Sequence, residues 1–534
     1  MRKVITLVIA IATIACGWAL DKQQSKLQFD PTVGELLTMT MVDGSKVNYI
    51  AYEHLYYVTN IEDSTYQYLN IYVPEHSDFK APILLRTYVG GYMASEAGRP
   101  QAGDASGRAL KEGMVVVIPG TRGRNSIVKA AKNDKKAGVK KGEKIYTGRA
   151  PNAIFDLKAA IRYIRYFDDE IPGDAEKIIT DGTSAGGAMS ALMGATGNNP
   201  AYEPLLKAMG AAPVRDDVMA SVCYCPIIDL EHADMAYEWL YNGTDSRQQG
   251  SLDVLAVSDQ LKEQFPAYLE SLSLHTDDGT LLTAANYLDY IKKELIRSAQ
   301  IAKNAGAEIP DSLGFTFSEE ASFGAPPING VTPSPAGRAP LGARGQRTMP
   351  GRMGGKKVGE YITDLDMDKY LNYVVSTQPL KTAPAFDTQG VVGQRASGEN
   401  EEFGDWTGSS VNFTDYGAMM AGSVVSEEVK RNVALMNPMN YIGDGVSDVA
   451  QYWYIRHGAR DRDTAFPVPI NLALKLKQAG KSVNFLLAWN RPHSGDYALD
   501  EMFMWIKQCL LSKKLNENER FKKALLSDYP AAWQ

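Results

Sequence analysis

At 534 residues and 44% hydrophobic, the chain has room for roughly two to four average domains and can bury a large core. Its 56 basic and 63 acidic residues give a net charge of −7 with no dominating Lys/Arg block, which argues against a nucleic-acid binder. Four cysteines exclude a disulfide framework, no Cys/His cluster has zinc-ligand spacing, and 22% charged residues with abundant aromatics exclude wholesale disorder.

Arg2 and Lys3 precede an apolar run from Val4 to Cys16, too short to span a bilayer but long enough for the apolar part of an export signal. Residues 1–19 are read as that signal, and the protein as exported: periplasmic, secreted or lipid-anchored at the envelope. Two ends stay open. Cys16 in Thr13-Ile14-Ala15-Cys16 is placed for lipidation and membrane attachment, and Ala19 for signal-peptidase cleavage.

Period-two alternation predicts strands at Met39–Val42 and Lys46–Ile50 around the turn Asp43-Gly44-Ser45, and another from Tyr68 to Val73. The grammar then changes to buried strands ending in Gly-rich turns: Pro82–Leu85 into Gly90-Gly91, and Met114–Ile118 into Pro119-Gly120. Ile154, Leu157, Ile161 and Ile164 mark an amphipathic helix. Further strands are expected at Lys177–Thr180, Ser221–Ile227, Trp453–Gly458 and Val483–Trp489. Continuous apolar strands alternating with helices predict a mostly parallel α/β sheet covered on both faces. Cys223 and Cys225, two apart on a strand, fall on one face; with Cys509 they read as small buried hydrophobes.

Between about residues 230 and 435 that rhythm stops. Leu252–Leu274 and Ala284–Gly306 read as helical, and the basic Gly/Pro-rich stretch 323–358 as a solvated loop. The organisation is therefore a discontinuous core, 20–230 and 436–534, with an inserted domain at 231–435 after the sixth strand of the sheet.

The chemistry starts at Gly182-Thr183-Ser184-Ala185-Gly186-Gly187-Ala188, between a strand and a small-residue helix. This Gly-x-Ser-x-Gly turn is a nucleophile elbow: Ser184 sits on a sharp bend, so the positions two before and two after it must lack side chains. The oxyanion formed on attack needs backbone donors. Ala185 N–H supplies one, and Val89-Gly90-Gly91-Tyr92 is placed to supply the second through Gly90 or Gly91. A neutral serine needs a base, and among six histidines His493 fits, in the loop between the last strand and the last helix. The orienting acid should follow the penultimate strand, which indicates Asp461, with Asp463 its near rival and Asp229 an outlying alternative. His232 and His457 read as structural.

With these residues in place the sequence resembles a known family, the bacterial tannases: galloyl-ester hydrolases with an α/β-hydrolase core and a large inserted lid. The resemblance covers nearly the whole mature chain. It rests on Tyr66-Gln67-Tyr68-Leu69-Asn70-Ile71-Tyr72-Val73-Pro74, Val89-Gly90-Gly91-Tyr92-Met93, the elbow through Met189-Ser190, Cys223-Tyr224-Cys225-Pro226-Ile227, the segment from His232 to Trp239, and Ile455-Arg456-His457-Gly458 through Arg462-Asp463-Thr464. It implies a triad of Ser184, Asp461 and His493, and a trihydroxylated ring read by Lys381, Glu399 and Asp463. Phenol hydroxyls are donors that two carboxylates and an ammonium can satisfy together. The Lys381-to-Glu399 span is longer than the family's, so Glu401 and Glu402 stay open for the same role.

The implied reaction is hydrolysis of galloyl esters, depsides included, through a galloyl-serine. It requires no metal or cofactor and no partner beyond a small aryl ester. The rivals are a feruloyl or simple carboxylic esterase, a serine peptidase resembling prolyl oligopeptidase, against which the absence of propeller-blade repeats speaks, and a non-catalytic binder on the same scaffold, against which the intact triad speaks.

Overall fold

The computed structural model describes residues 27–130, 140–318 and 361–527, with side chains through residue 515. The expected signal at 1–19, with Cys16, and the basic stretch 323–358 lie outside the described residues. No helix among the described residues is long and apolar enough to cross a membrane.

Nine strands form one sheet: β1 (Glu35–Thr40), β2 (Lys46–Tyr56), β3 (Tyr68–Pro74), β4 (Ile83–Arg86), β5 (Val115–Pro119), β6 (Ile178–Thr183), β7 (Ala220–Tyr224), β8 (Tyr452–Gly458) and β9 (Ser482–Ala488). Their order is β1-β2-β3-β5-β4-β6-β7-β8-β9. The first three joins are antiparallel and every join from β5 onward is parallel. This is the α/β-hydrolase sheet. The helices that matter for the site are α1 (Ala105–Lys111), α2 (Asn152–Tyr166), α3 (Ala185–Ala195), α4 (Leu230–Tyr241), α5 (Ala284–Asn304), α6 (Met367–Thr377), α7 (Gly398–Glu402), α8 (Pro467–Gln478) and α9 (Leu499–Ser527).

The central strands are apolar throughout because both faces are covered. In β5, Val115 and Val117 enter the core that holds Ile154, Leu157, Ile161 and Met189, whereas Val116 and Ile118 enter the one with Ala105, Ala109, Met502 and Ile506. The helix expected to be amphipathic, α2, is buried almost all round. Its polar residues survive burial by pairing: Asp156 with Arg122, and Lys158 and Arg162 with Asp216.

The strand that precedes residues 231–435, β7, is the seventh rather than the sixth of this sheet in chain order, since both N-terminal strands join it. The helix expected over Leu252–Leu274 divides into Leu252–Lys262 and Phe265–Ser271. Pro266 restarts it from the first turn of the second helix, where a missing N–H is harmless. The stretch between β7 and β8 packs on β8, β9 and the residues that follow them. Phe315 meets Trp489 edge-on at 5.3 Å, Tyr370 donates to Ala459 O at 2.7 Å, and Arg297 to Phe485 O at 2.9 Å. Its apolar residues Leu295, Phe315 and Val374 belong to the same core as Ile455 and Leu487.

Candidate active site

Strand β6 ends at Thr183 and α3 begins at Ala185, so Ser184 alone makes the turn, at φ 63° and ψ −123°. Such a backbone costs about 1–3 kcal/mol and persists only when its surroundings over-determine it. Here Ser184 N–H donates to Tyr224 O at 2.9 Å and Ser184 O accepts from Ile227 N–H at 3.3 Å. The glycines are needed for contact. A Cβ on Gly182 would lie 2.2 Å from Gly186 O, one on Gly186 2.8 Å from Val89 O, and one on Gly187 2.5 Å from Tyr224 O.

The loops leaving β8 and β9 bring the other two residues to this turn. His493 Nε2 lies 2.8 Å from Ser184 Oγ, and His493 Nδ1 lies 2.8 Å from Asp461 Oδ2. Two more glycines let the histidine loop press inward: a Cβ on Gly458 would lie 2.2 Å from Arg491 O, and one on Gly495 1.9 Å from Thr183 Oγ1. Arg86 ties the two sides together, pairing with Asp181 beneath the elbow and with Asp496 beyond His493. Asp461 is buried, and its Oδ1 accepts from Asp463 N–H at 2.8 Å. Burial alone would raise its pKa, but His457 and the His493 hydrogen bond carry it below the usual carboxylate range. Burial is the largest single influence on His493 and opposes its charge, yet the hydrogen bonds to Asp461 and Cys225, with the Asp461 charge, together outweigh it and raise the imidazole's affinity for a proton.

Ala185 is the first residue of α3, where a backbone N–H has no intrahelical acceptor. The turn Val89–Tyr92 lies beside it, as the Gly186–Val89 approach requires. The N–H groups of Gly90 and Gly91 donate to no acceptor among the described residues. The Gly90-Gly91 turn and the start of α3 thus carry backbone donors left without acceptors among the described residues.

Lys381 lies half-buried, its Nζ 3.9 Å from the centre of the Phe386 ring. Burial pulls its pKa below the usual lysine range, while its charged neighbours Glu399 and Asp463 work in the opposite direction. Asp463 links this group to the triad: its Oδ2 is 3.7 Å from His493 Nδ1, and its Oδ1 accepts from Arg462 at 2.8 Å. Asp234, in the motif from His232 to Trp239, shapes the Lys381 loop by accepting from the N–H groups of Ala385, Phe386 and Asp387. Asp387 in turn accepts from Asn400 Nδ2 at 2.6 Å, which fixes α7 and its Glu399 against that loop. The three glutamates are thereby separated. Glu399 acts on Lys381 through its charge, Glu401 pairs with Arg124, and Glu402 is buried with neither carboxylate oxygen hydrogen-bonded among the described residues.

Several residues at the site were not foreseen. The period-two reading of Cys223 and Cys225 fails because β7 ends at Tyr224 and Cys225 takes φ 36°, which sends the two thiols to opposite cores. Cys225 Sγ lies 3.9 Å from His493 Nε2, and burial raises its pKa, keeping a neutral thiol against the histidine. His457, read as structural, sits under the acid with Nδ1 3.6 Å from Asp461 Oδ2. Asp229 does not serve His493: its carboxylate accepts from His232, Tyr268 and Asn437. Asp229, Glu231 and His232 are close enough to share a cation, but these internal hydrogen bonds account for their grouping.

A family model described as BD-FAE matches residues 144–266. A local match, 46% identical over 55 residues, joins the chain to esterase LipC of Mycobacterium tuberculosis, of whose length it spans 14%. Solved tannase structures match along about nine-tenths of the chain. The tannase of Fusobacterium nucleatum is 34% identical, covering 91% of this chain and 100% of that one at a TM-score of 0.74. A tannin acyl hydrolase in complex with ethyl gallate is 36% identical, covering 90% of this chain and 98% of that one at a TM-score of 0.73.

Proposed function

Since this chain belongs to the tannases, the tannin acyl hydrolases, we infer that it is a serine esterase releasing gallate from galloyl esters, with Ser184 as nucleophile. The observation that carries the assignment is the continuous Ser184–His493–Asp461 hydrogen-bond chain at a strained elbow.

His493 Nε2 takes the Ser184 hydroxyl proton as Oγ attacks the ester carbonyl carbon. The carbonyl oxygen becomes an oxyanion, met by Ala185 N–H and by an N–H of the Gly90-Gly91 turn. Asp461 stabilises the imidazolium through Nδ1–H and stays ionised. Collapse of the tetrahedral adduct breaks the bond to the alcohol oxygen, which leaves with the proton from His493. Water then repeats the sequence on the galloyl-serine, freeing gallate and restoring the Oγ–H. Lys381, Glu399 and Asp463 read the ring: two carboxylates accept from phenol hydroxyls and the ammonium donates to a phenol oxygen. An ethyl gallate complex in a relative of this identity supports that substrate class.

Replacing Ser184 by alanine should abolish gallate release from methyl gallate while the folded protein remains. Turnover retained in Ser184→Ala would end the assignment. Faster hydrolysis of methyl ferulate than of methyl gallate would move the enzyme to the feruloyl class. Export belongs to the same proposal, supported by Arg2-Lys3 and the apolar run to Cys16, and the mature N-terminus by mass spectrometry tests it.

A further inference from the structure

Sterics do not hold the turn that carries the second oxyanion donor. A Cβ at Gly90 or Gly91 would meet nothing within 4 Å, and Gly91 and Tyr92 take φ 54° and 56°. A Gly-Gly turn in open space is free to rotate its peptide planes unless hydrogen bonds fix them. Met93 N–H donates to Gly90 O at 3.0 Å, and Arg124 Nε donates to Gly91 O at 2.8 Å. The Arg124 backbone N–H adds a bond to Tyr92 O at 2.9 Å. The segment around Arg124 runs so close that a Cβ on Gly123 would lie 2.3 Å from Ala94 N.

The same guanidinium also reaches α7. Arg124 Nη1 pairs with the carboxylate of Glu401, and the guanidinium carbon lies 3.3 Å from where a Gly398 Cβ would sit. Both residues belong to α7, the turn of helix bearing Glu399. The core grips that turn beside Arg124: Arg149 donates to Glu401 O and Ala150 N–H to Glu402 O. One side chain thus joins the element that stabilises the oxyanion to the element that reads the ring.

We propose that Arg124 is a positioning residue that fixes the Gly90-Gly91 oxyanion turn and the Glu399-bearing helix as one rigid unit, so that ring hydroxyls placed against Glu399 set the ester carbonyl against the oxyanion donors. This rests on the galloyl-esterase reading. The role follows from the planar fork of arginine, which can donate to a carbonyl and a carboxylate at once, whereas a lysine ammonium offers a point charge. A displacement of about 1 Å at either end is enough to cost on the order of 100-fold in rate.

The test compares wild type, Arg124→Ala and Arg124→Lys on methyl gallate and methyl benzoate, with kcat and KM measured separately. Arg124→Ala should lower kcat about 10- to 100-fold on both esters, because both use the oxyanion turn. It should also raise KM for methyl gallate alone, cutting the gallate-over-benzoate ratio of kcat/KM at least about tenfold. Arg124→Lys should recover part of kcat and little of the ratio, and it supplies the same comparison if the alanine variant does not fold. Retention of kcat within about twofold, or loss of kcat with the ratio intact, overturns the proposal. Wild-type protein releasing no gallate at all would instead overturn the galloyl-esterase reading, so the two failures are distinct.

Discussion

Replacing Lys381 by methionine removes one ammonium and keeps an unbranched apolar stem of similar length over the Phe386 ring. The wild-type ammonium is half-buried beside Glu399 and Asp463, with Phe386 3.9 Å from its nitrogen, so a ligand hydroxyl reaching it makes a charge-assisted bond shielded from bulk water. Such bonds contribute about 1.5–3 kcal/mol, which corresponds to a loss of roughly 10- to 150-fold in kcat/KM for methyl gallate. Methyl benzoate has no hydroxyl to lose, and its kcat/KM should change by less than about threefold. The assay is initial-rate hydrolysis of the two esters side by side, with the thermal midpoint of the variant measured to verify folding. An equal loss on both esters would assign Lys381 to scaffold support. No loss on methyl gallate would mean that the ammonium does not meet the substrate.

Asp461→Asn should lower kcat by about 10⁴-fold through loss of tautomer control and of imidazolium stabilisation. Because Asp461 raises the proton affinity of His493, and the unprotonated imidazole is the base, the acid limb of the wild-type rate profile should lie above the ordinary histidine range and move to lower pH in the variant. Arg86→Met would leave Asp181 buried with no cation beneath the elbow; a destabilisation of about 3–5 kcal/mol in urea denaturation is expected, and less than about 1 kcal/mol would refute the pairing. Burial pushes Glu402 up from the ordinary 4.5 to about 8, so between these values the unfolded chain releases a proton that the folded chain keeps. Stability therefore falls with rising pH across that window, by about 1.4 kcal/mol per pH unit. Glu402→Gln lacks this dependence, and its melting temperature relative to wild type should rise from pH 5 to pH 8.

The convergence of Ser184, Asp461 and His493 was legible because each follows a strand whose pattern is strong: continuous apolar runs locate β6, β8 and β9, and the elbow's glycines name the turn. The helix α7, which carries Glu399, was harder. Three glutamates at 399, 401 and 402 look alike in sequence, and they are told apart by a helical register that Ser397 and Asn400 set through their reciprocal capping bonds. Cys225 was misassigned because period two holds only inside a strand, and β7 stops one residue earlier. Arg124 carries no periodic signal at all. Its role depends on which carbonyl and which carboxylate stand opposite it, a matter of tertiary approach between the segments around residues 91, 124 and 401. The near-total burial of α2 was hidden for a related reason, since Asp156, Lys158 and Arg162 read as a solvent face until their partners are known.

The parallel ladder that pairs Tyr452 with Ala220 and Ile455 with Cys223 has a consequence for biosynthesis. On the ribosome, β7 emerges long before β8, and in the interval it shows a bare row of peptide donors and acceptors framed by Val222 and Cys223. A nascent chain halted anywhere before residue 452 exposes that row to its neighbours, so C-terminal truncations into the β8 segment should collect in inclusion bodies rather than yield a smaller soluble esterase.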